Sequence, residues 1–477
     1  MKLIKYTSLI VLVLTILSRI FGFIREISVA NLFGVNSYTD VFFTALIFPI
    51  MLSQIIGSNL SVKMIGELKA SSEHEKTNII NKYFYNSIVI FLLISVCIVL
   101  FNFITIKVTE NSGEFDTFLK SCNIFLSIAT IFWGISYVQM GMLNSEHRFF
   151  ASSIAPLVSN VLNIFILLIF KDYISSIPIA FLLSAIVQML FLSWYVKGYV
   201  KWEKNLIIKL VDLKIVRYLF IMILSSLFLQ LPIILERYIV IGLGEGYVTI
   251  LNLAQKVYQL PTNIIISSII TIIFPGVLKY IYHQNASNML YRIIADIFII
   301  CSPIISGIYL FASYFINILF SDTLNSQQLN DLKELIQIFG LSTTLYIIRD
   351  LLLKLLFSLN YSVYAMKISI ITAILNIALD VILIYSFGIL AIPIALIVNL
   401  AVFVVLAMRM INKDILKKIN GLNVFKKPLF IFNLICIPFI VVTYNYGYLA
   451  FCYGAFLIST VFSIKVFINF SSKKIAL

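Results

Sequence analysis

The chain has 477 residues, 61% of them hydrophobic and 12% charged, where a soluble domain carries about 45–50% apolar and about 25% charged residues. This composition excludes a soluble enzyme before any motif is read. The formal net charge of +14 fits basic loops facing anionic lipid. No nucleic-acid-binding motif accompanies it, so nucleic acid is not expected as a partner.

Apolar runs recur from end to end and are continuous, as in "SIVIFLLISVCIVLFNFITI", whereas barrel strands would alternate. About fourteen are long enough to cross a bilayer. The predicted spans are 6–30, 41–62, 83–107, 118–142, 150–170, 175–197, 216–243 and 247–275, then 290–320, 334–357, 362–387, 390–411, 428–444 and 448–470. The fold class is therefore an all-α polytopic membrane protein. The first run holds Arg19 and Arg25 and lacks a small-residue cleavage site, so it reads as a retained span rather than a signal peptide. Cations cluster in alternate loops: Lys63 to Lys82, Lys197 to Arg217, and Lys413 to Lys427. The positive-inside rule makes those loops cytoplasmic, and both termini with them. The five cysteines all fall in apolar runs and show no metal-ligand spacing.

The chain repeats itself. "REISVANLFGVNSYTDVFFTALIFP" (25–49) is echoed by "RYIVIGLGEGYVTILNLAQKVYQLP" (237–261), setting Arg25 against Arg237, Gly34 against Gly246 and Pro49 against Pro261. "VLNI" and "IPIA" (around Asn163 and Pro178) return as "ILNI" and "IPIA" (around Asn376 and Pro393). Six spans per copy give both copies one orientation and a pseudo-twofold axis along the membrane normal. The expected domains are an N-lobe over 1–200, a C-lobe over 201–412, and two further helices over 413–477. Two parallel lobes with a site between them is the plan of a transporter.

Charges interrupt the spans. A charged side chain at mid-bilayer costs about 2.5–3.5 kcal/mol, so most should face a shared polar cavity. They are Arg19, Arg25 and Glu26 in the first span, Asp40 at the start of the second, Glu236 and Arg237 in the seventh, Lys256 in the eighth, Arg349, Asp350 and Lys354 in the tenth, and Asp380 in the eleventh. Cations predominate, so an anion is the expected cargo group. Arginine suits phosphate because its planar fork donates two hydrogen bonds at once. Blander roles compete: snorkelling for Arg25, an ion pair for Glu236 and Arg237, a span-end position for Arg349. Asn376 and Asp380 are spaced i, i+4 on one helix face. Their oxygens suit either a hard cation such as sodium, with Glu236 as a third ligand, or a helix-packing pair.

"SRIFGFIREISVANLFGVNSYTDVFFTALIFP" resembles the opening of the MurJ/MviN family of lipid II flippases, and "GMLNSEHRFFASSIAPLVSNVLNI" and "LNLAQKVYQLP" resemble two further blocks of it. The resemblance covers the first twelve spans in order. It implies two six-helix lobes around a central cavity, alternating access, and a lipid-tail groove formed by the last two spans. Arg19, Arg25 and Asp40 match important positions of the first block, and Lys256 stands where arginine is usual. The headgroup pyrophosphate is expected on Arg19, Arg25 and Lys256, near Asp40, with Glu26, Arg237 and Arg349 as secondary cavity residues. Glu236, Asn376 and Asp380 resemble a sodium cluster of some members. No cofactor is expected beyond sodium or membrane-potential coupling.

The chain departs from the pattern after the second-span proline, where "PIMLSQ" places Ser53 and Gln54 against a typical "PNLLRR". Gln255 stands where an acid often precedes the basic residue. The expected cargo is a polyprenyl-pyrophosphate-linked saccharide in the bacterial cytoplasmic membrane. Peptidoglycan lipid II is the first candidate and a surface-polysaccharide unit the alternative. A multidrug exporter of the same superfamily would want an acidic, aromatic cavity. Membrane lipids are the expected surroundings, and cell-wall or polysaccharide synthesis machinery the expected protein partners. No nucleotide loop or nucleophile–base pair is present, and the longest loops, about twenty residues, are too short for a catalytic domain. The chain is not expected to be an enzyme.

Overall fold

Lipid offers the backbone no hydrogen-bond partner, so an apolar run in a bilayer closes its bonds internally as a helix. The structure is a computed structural model and describes residues 2–107, 114–199, 231–265, 286–358, 361–414, 456–461 and 463. Its helices are α1 (Lys2–Phe33), α2 (Ser37–Ala70), α3 (Glu73–Lys107), α4 (Glu114–Ser145), α5 (Phe149–Ile169), α6 (Ser176–Val196), α7 (231–241), α8 (Tyr247–Ile265), α9 (Ala286–Phe320), α10 (Ser326–Ser358), α11 (Ser362–Phe387) and α12 (Ala391–Asp414). No strand occurs among the described residues.

Each described span falls within or against one of these helices. Several helices outrun the apolar run that marks them: α3 starts at Glu73, ten residues before span 83–107. Polar helix ends keep their backbone bonds outside the bilayer, where the hydropathy signal has already stopped. By length and composition, eight stretches of the described residues can cross a membrane, the last, Val363–Ile411, taking in both α11 and α12. The expected span 428–444 lies outside the described residues, as do parts of 216–243, 247–275 and 448–470.

The α1–α2 turn shows how sequence sets a boundary. Gly34 adopts φ +82° and its N–H closes α1 on the Ala30 carbonyl at 2.9 Å; only glycine takes that φ without strain. Asn36 then caps α2, accepting from the Tyr38 and Thr39 N–H groups, while Thr39 Oγ1 accepts from the Asn36 N–H. This reciprocal box satisfies donors the helix leaves open.

The chain forms two compact units, Met1–Thr249 and Ile250–Leu477. In the first, α2 and α4 approach closely through small residues. A Cβ on Gly57 would lie 2.5 Å from Tyr137 Cβ, and one on Gly141 would lie 2.5 Å from Ser61 Cβ; on the side of α4 that meets α3, one on Gly134 would enter the Phe91 ring. Ser61 Oγ donates across the α2–α4 contact to the Tyr137 carbonyl at 2.8 Å. Leu60, Met64, Tyr83, Phe91 and Val138 fill the adjoining core. In the second unit, α9, α10, α11 and α12 enclose Ile297, Cys301, Ile347, Leu351 and Phe403. The described piece of the last span packs here: Ser459 and Ser463 bond to Ser302 Oγ (2.8 Å) and the Ile299 carbonyl (2.5 Å), and Phe456 meets Phe311 edge to face.

The internal repeat has structural counterparts. Gly246 takes φ +85°, matching Gly34. Pro49 and Pro261 both lie inside helices. Pro178 and Pro393 are each the third residue of their helix, in the first turn, where the missing N–H costs nothing. Asn163 Nδ2 donates to Ser184 Oγ at 3.3 Å between α5 and α6. The repeat equivalents, Asn376 and Asn399, join α11 to α12 at 3.1 Å.

Candidate functional site

Arg25 is held from three sides. Its Nη1 donates to Asn160 Oδ1 of α5 at 3.0 Å, its Nη2 to Glu26 Oε1 at 2.8 Å, and its guanidinium lies over the Phe181 ring of α6 at 4.5 Å. Asn160 also donates from Nδ2 to the Ser18 carbonyl at 3.0 Å, spanning two turns of α1. The absence of a side chain at Gly22 admits it, since a Cβ there would lie 3.3 Å from Asn160 Nδ2. The glycine of "SRIFGFIRE" thus makes room for the amide that orients the arginine. Glu26, buried at 1% exposure, is this arginine's counter-ion.

Arg19, two turns earlier on α1, is half-buried, and its Nη1 is buried without a hydrogen-bond partner among the described residues. In Arg25 the same holds for Nε alone. The two arginines therefore differ in kind: Arg25 is oriented by neighbours, while Arg19 keeps donor capacity uncommitted.

Asp40 is a clamp. Its buried carboxylate accepts from the Gly246 N–H at 2.6 Å and from the Thr249 N–H and hydroxyl, each at 2.7 Å. An anion capping the start of α8 meets N–H groups that the helix cannot satisfy itself, at the positive end of its dipole. Thr39 Oγ1 accepts from the same hydroxyl at 3.0 Å. Nearby, Arg237 is 3% exposed, donates from Nη1 to the Val248 carbonyl at 2.9 Å, and lies in the field of Glu236, Glu26 and Asp40. Glu236 is buried at 5% exposure.

Arg19, Arg25, Glu26, Asp40, Glu236 and Arg237 belong to the first unit; Lys256, Arg349, Asn376 and Asp380 belong to the second. Lys256 is half-buried on α8. Arg349 lies between two rings, 5.6 Å from that of Tyr346 and 5.5 Å from that of Phe403. Asp350 pairs with Lys354 at 3.1 Å. Asn376 Nδ2 donates to Asp380 Oδ2 at 2.9 Å, both residues being buried, so the i, i+4 spacing forms the expected pair. Three oxygen-bearing side chains, Asn376, Asp380 and Asn399, form one hydrogen-bonded cluster. That donor set suits a hard cation once both amides turn, Asn376 to bring its oxygen toward Asp380 and Asn399 to accept from the Asn376 Nδ2. Among the described residues no three His, Cys, Asp or Glu side chains gather as a metal-ligand group.

Ser53 and Gln54, at the departure from the family pattern, supply no cation. The Ser53 hydroxyl bonds back to the Pro49 carbonyl at 2.8 Å, and Gln54 is exposed. Asn160 and Phe181 were not anticipated as partners of Arg25. The signal for Asn160 was present: an amide inside an apolar run needs a partner.

Residues 29–464 match the family model described as lipid II flippase MurJ. The chain is similar to a probable lipid II flippase MurJ of Rickettsia prowazekii, 24% identical over 400 residues, covering 80% of this chain and 78% of that one. It is 27% identical over 192 residues to a lipid II flippase MurJ of Thermosipho africanus, covering 39% and 40%. A solved structure of a lipid II flippase MurJ in an inward closed conformation matches with a TM-score of 0.76 at 19% identity, over 96% of this chain and 97% of that one. A multidrug resistance MATE family transporter in an inward-facing conformation gives 0.60 at 16% identity, over 86% and 96%. These structural likenesses speak to the fold.

Proposed function

Because the chain belongs to the lipid II flippase MurJ family, we propose that it moves lipid II from the inner to the outer leaflet of the bacterial cytoplasmic membrane by alternating access. The reading is carried by the extent of the family match, 29–464 of 477 residues. The uncommitted guanidinium of Arg19 supports it. A cation in a span is costly, and a pyrophosphate that takes two hydrogen bonds from its fork offsets that cost.

In this cycle the headgroup pyrophosphate binds the cations Arg19, Arg25 and Lys256. Asn160, Glu26 and Phe181 orient Arg25 for the same contact. The polyprenyl tail stays in lipid along the last two of fourteen spans. The lobes then rock and present the headgroup outside; no bond is made or broken. Both termini are cytoplasmic in this arrangement. Asn376 and Asp380 would hold a sodium ion, whose gradient would bias the cycle. The membrane potential adds about 2.3 kcal/mol per charge per 100 mV.

A second reading rests on Ser53 and Gln54. With fewer cations than the family pattern, the cavity suits a surface-polysaccharide unit on the same polyprenyl-pyrophosphate carrier. One experiment separates the two. A host depleted of its own lipid II flippase receives this chain, and outer-leaflet lipid II and growth are followed. Rescue that Arg19→Ala abolishes is the expected result. Absence of rescue with correctly inserted protein moves the cargo to the polysaccharide unit.

A further inference from the structure

A cavity of about 940 Å³ opens among α2, α3, α4 and α7, at the upper end of the roughly 300–1,000 Å³ typical of ligand sites. Its walls are hydrocarbon, from Val41 and Ala45 on α2 to Leu119 on α4. Its mouth is formed by side chains that face outward: Phe48 is 39% exposed, Leu93 62%, Tyr238 60% and Ile241 46%. In a chain that spans a membrane, such a mouth opens on lipid. On α2 the lining runs from Val41 to Leu52, a rise of about 17 Å, so the cavity extends over about half of the ~30 Å hydrocarbon core.

We infer that this cavity is a lipid site holding a hydrocarbon chain of a bilayer phospholipid. Three arguments select that occupant. Water has few polar side-chain partners there, Thr44, Asn123, Arg237 and the Tyr238 hydroxyl at the mouth, and a dry void forfeits dispersion contacts along its whole wall. Arg237 is the cavity's cation, but it donates to the Val248 carbonyl and sits among three carboxylates. The site therefore has no excess positive charge for a phosphate and recognises a chain rather than a headgroup. Acyl chains surround the mouth at solvent concentration, so mass action favours them over a scarce polyprenyl carrier.

The bound chain fills the gap between α7 and the α2–α4 packing. Arg237, in the same wall, reaches Val248 beside the Asp40 clamp, so an occupied cavity stabilises the clamped arrangement.

The test uses the full-length protein purified in detergent. Native mass spectrometry reads retained lipid, and thermal unfolding is followed with and without added palmitoyl-oleoyl phosphatidylethanolamine. The wild type is expected to retain one phospholipid and to gain several degrees on its addition. Ala45→Trp, which fills the cavity, should lose both the retained lipid and the gain. Leu168→Trp, an exposed position on α5 outside the cavity, should lose neither. Should Ala45→Trp fail to fold, Ile241→Trp enters the cavity from the opposite wall at a half-exposed position. Equal retention and equal gain in a folded cavity-filling variant and the wild type would overturn the inference. Displacement of the phospholipid by undecaprenyl phosphate at equal concentration would also overturn it, and would give the site to the carrier tail.

Discussion

The Asp40 carboxylate takes both the backbone N–H and the hydroxyl of Thr249, each at 2.7 Å, across 209 residues of sequence. With Gly246 it forms an anionic cap at the start of α8. Hydrogen bonds to a charged group are worth about 1.5–3 kcal/mol each. Asp40→Asn keeps the shape but removes the charge and turns an NH2 toward donors. It is expected to lower the unfolding temperature and to reduce transport. Thr249→Val, which loses one of the three bonds, should be milder on both measures. Equal effects of the two would contradict the clamp.

Arg25 depends on Asn160 for its direction. Asn160→Ala removes the Nη1 acceptor and the tie to Ser18. The expected cost is about 1–2 kcal/mol in positioning, or roughly a tenfold loss of flipping rate in proteoliposomes at normal expression. Asn160→Asp retains the acceptor and should lose less. Gly22→Leu occupies the space the amide uses and should resemble Asn160→Ala in activity.

The α3–α4 contact tolerates no added volume on one side. Gly134→Ala drives a methyl into the Phe91 ring. Overpacking of this kind costs about 1–3 kcal/mol, read as a lower unfolding temperature. Phe91→Leu in the same chain should recover part of the loss, and a double-mutant cycle should report a coupling of at least about 0.5 kcal/mol. Strict additivity would argue that the ring moves aside freely.

Asp380 occupies a position where the first repeat has Leu167; both side chains are fully buried. Leucine therefore packs at that site in this architecture. Asp380→Leu is expected to keep expression, to lose about 1–3 kcal/mol of stability through the unpaired Asn376 amide, and to abolish any dependence of transport on sodium. Retained sodium dependence in a well-folded Asp380→Leu chain would remove Asp380 from the ion site.

The spans were legible because hydrocarbon runs longer than a bilayer leave few alternatives, and the helices depart from them mainly at polar ends such as 73–82. The turn glycines were legible through the repeat: Gly34 and Gly246 aligned by sequence and share a positive φ. The Asn376–Asp380 pair followed from helical spacing. Asp40 stands in the sequence as a charged residue at a span start, and nothing local marks its partners on α8, because contacts across 206 or 209 residues leave no periodicity. Phe181 was hidden for a related reason: an aromatic ring in an apolar helix looks the same whether it faces lipid or a guanidinium. Ser53 was legible as a missing charge, and the structure adds that its hydroxyl turns back on its own helix.

The matching bonds Asn163–Ser184 and Asn376–Asn399 bear on how such a chain can change. A duplicated sequence holds two versions of each contact under one set of folding requirements. Where the versions agree in position, as in these two helix-joining hydrogen bonds (Asn163 donates to Ser184, Asn376 accepts from Asn399), the requirement is architectural, and alteration of either copy should be penalised. Where they differ, as at Leu167 and Asp380, one copy has satisfied the packing with a plain hydrocarbon and the other has been free to take up a specialised task. Residue-by-residue comparison of the two halves thus separates scaffold from adaptation within a single molecule.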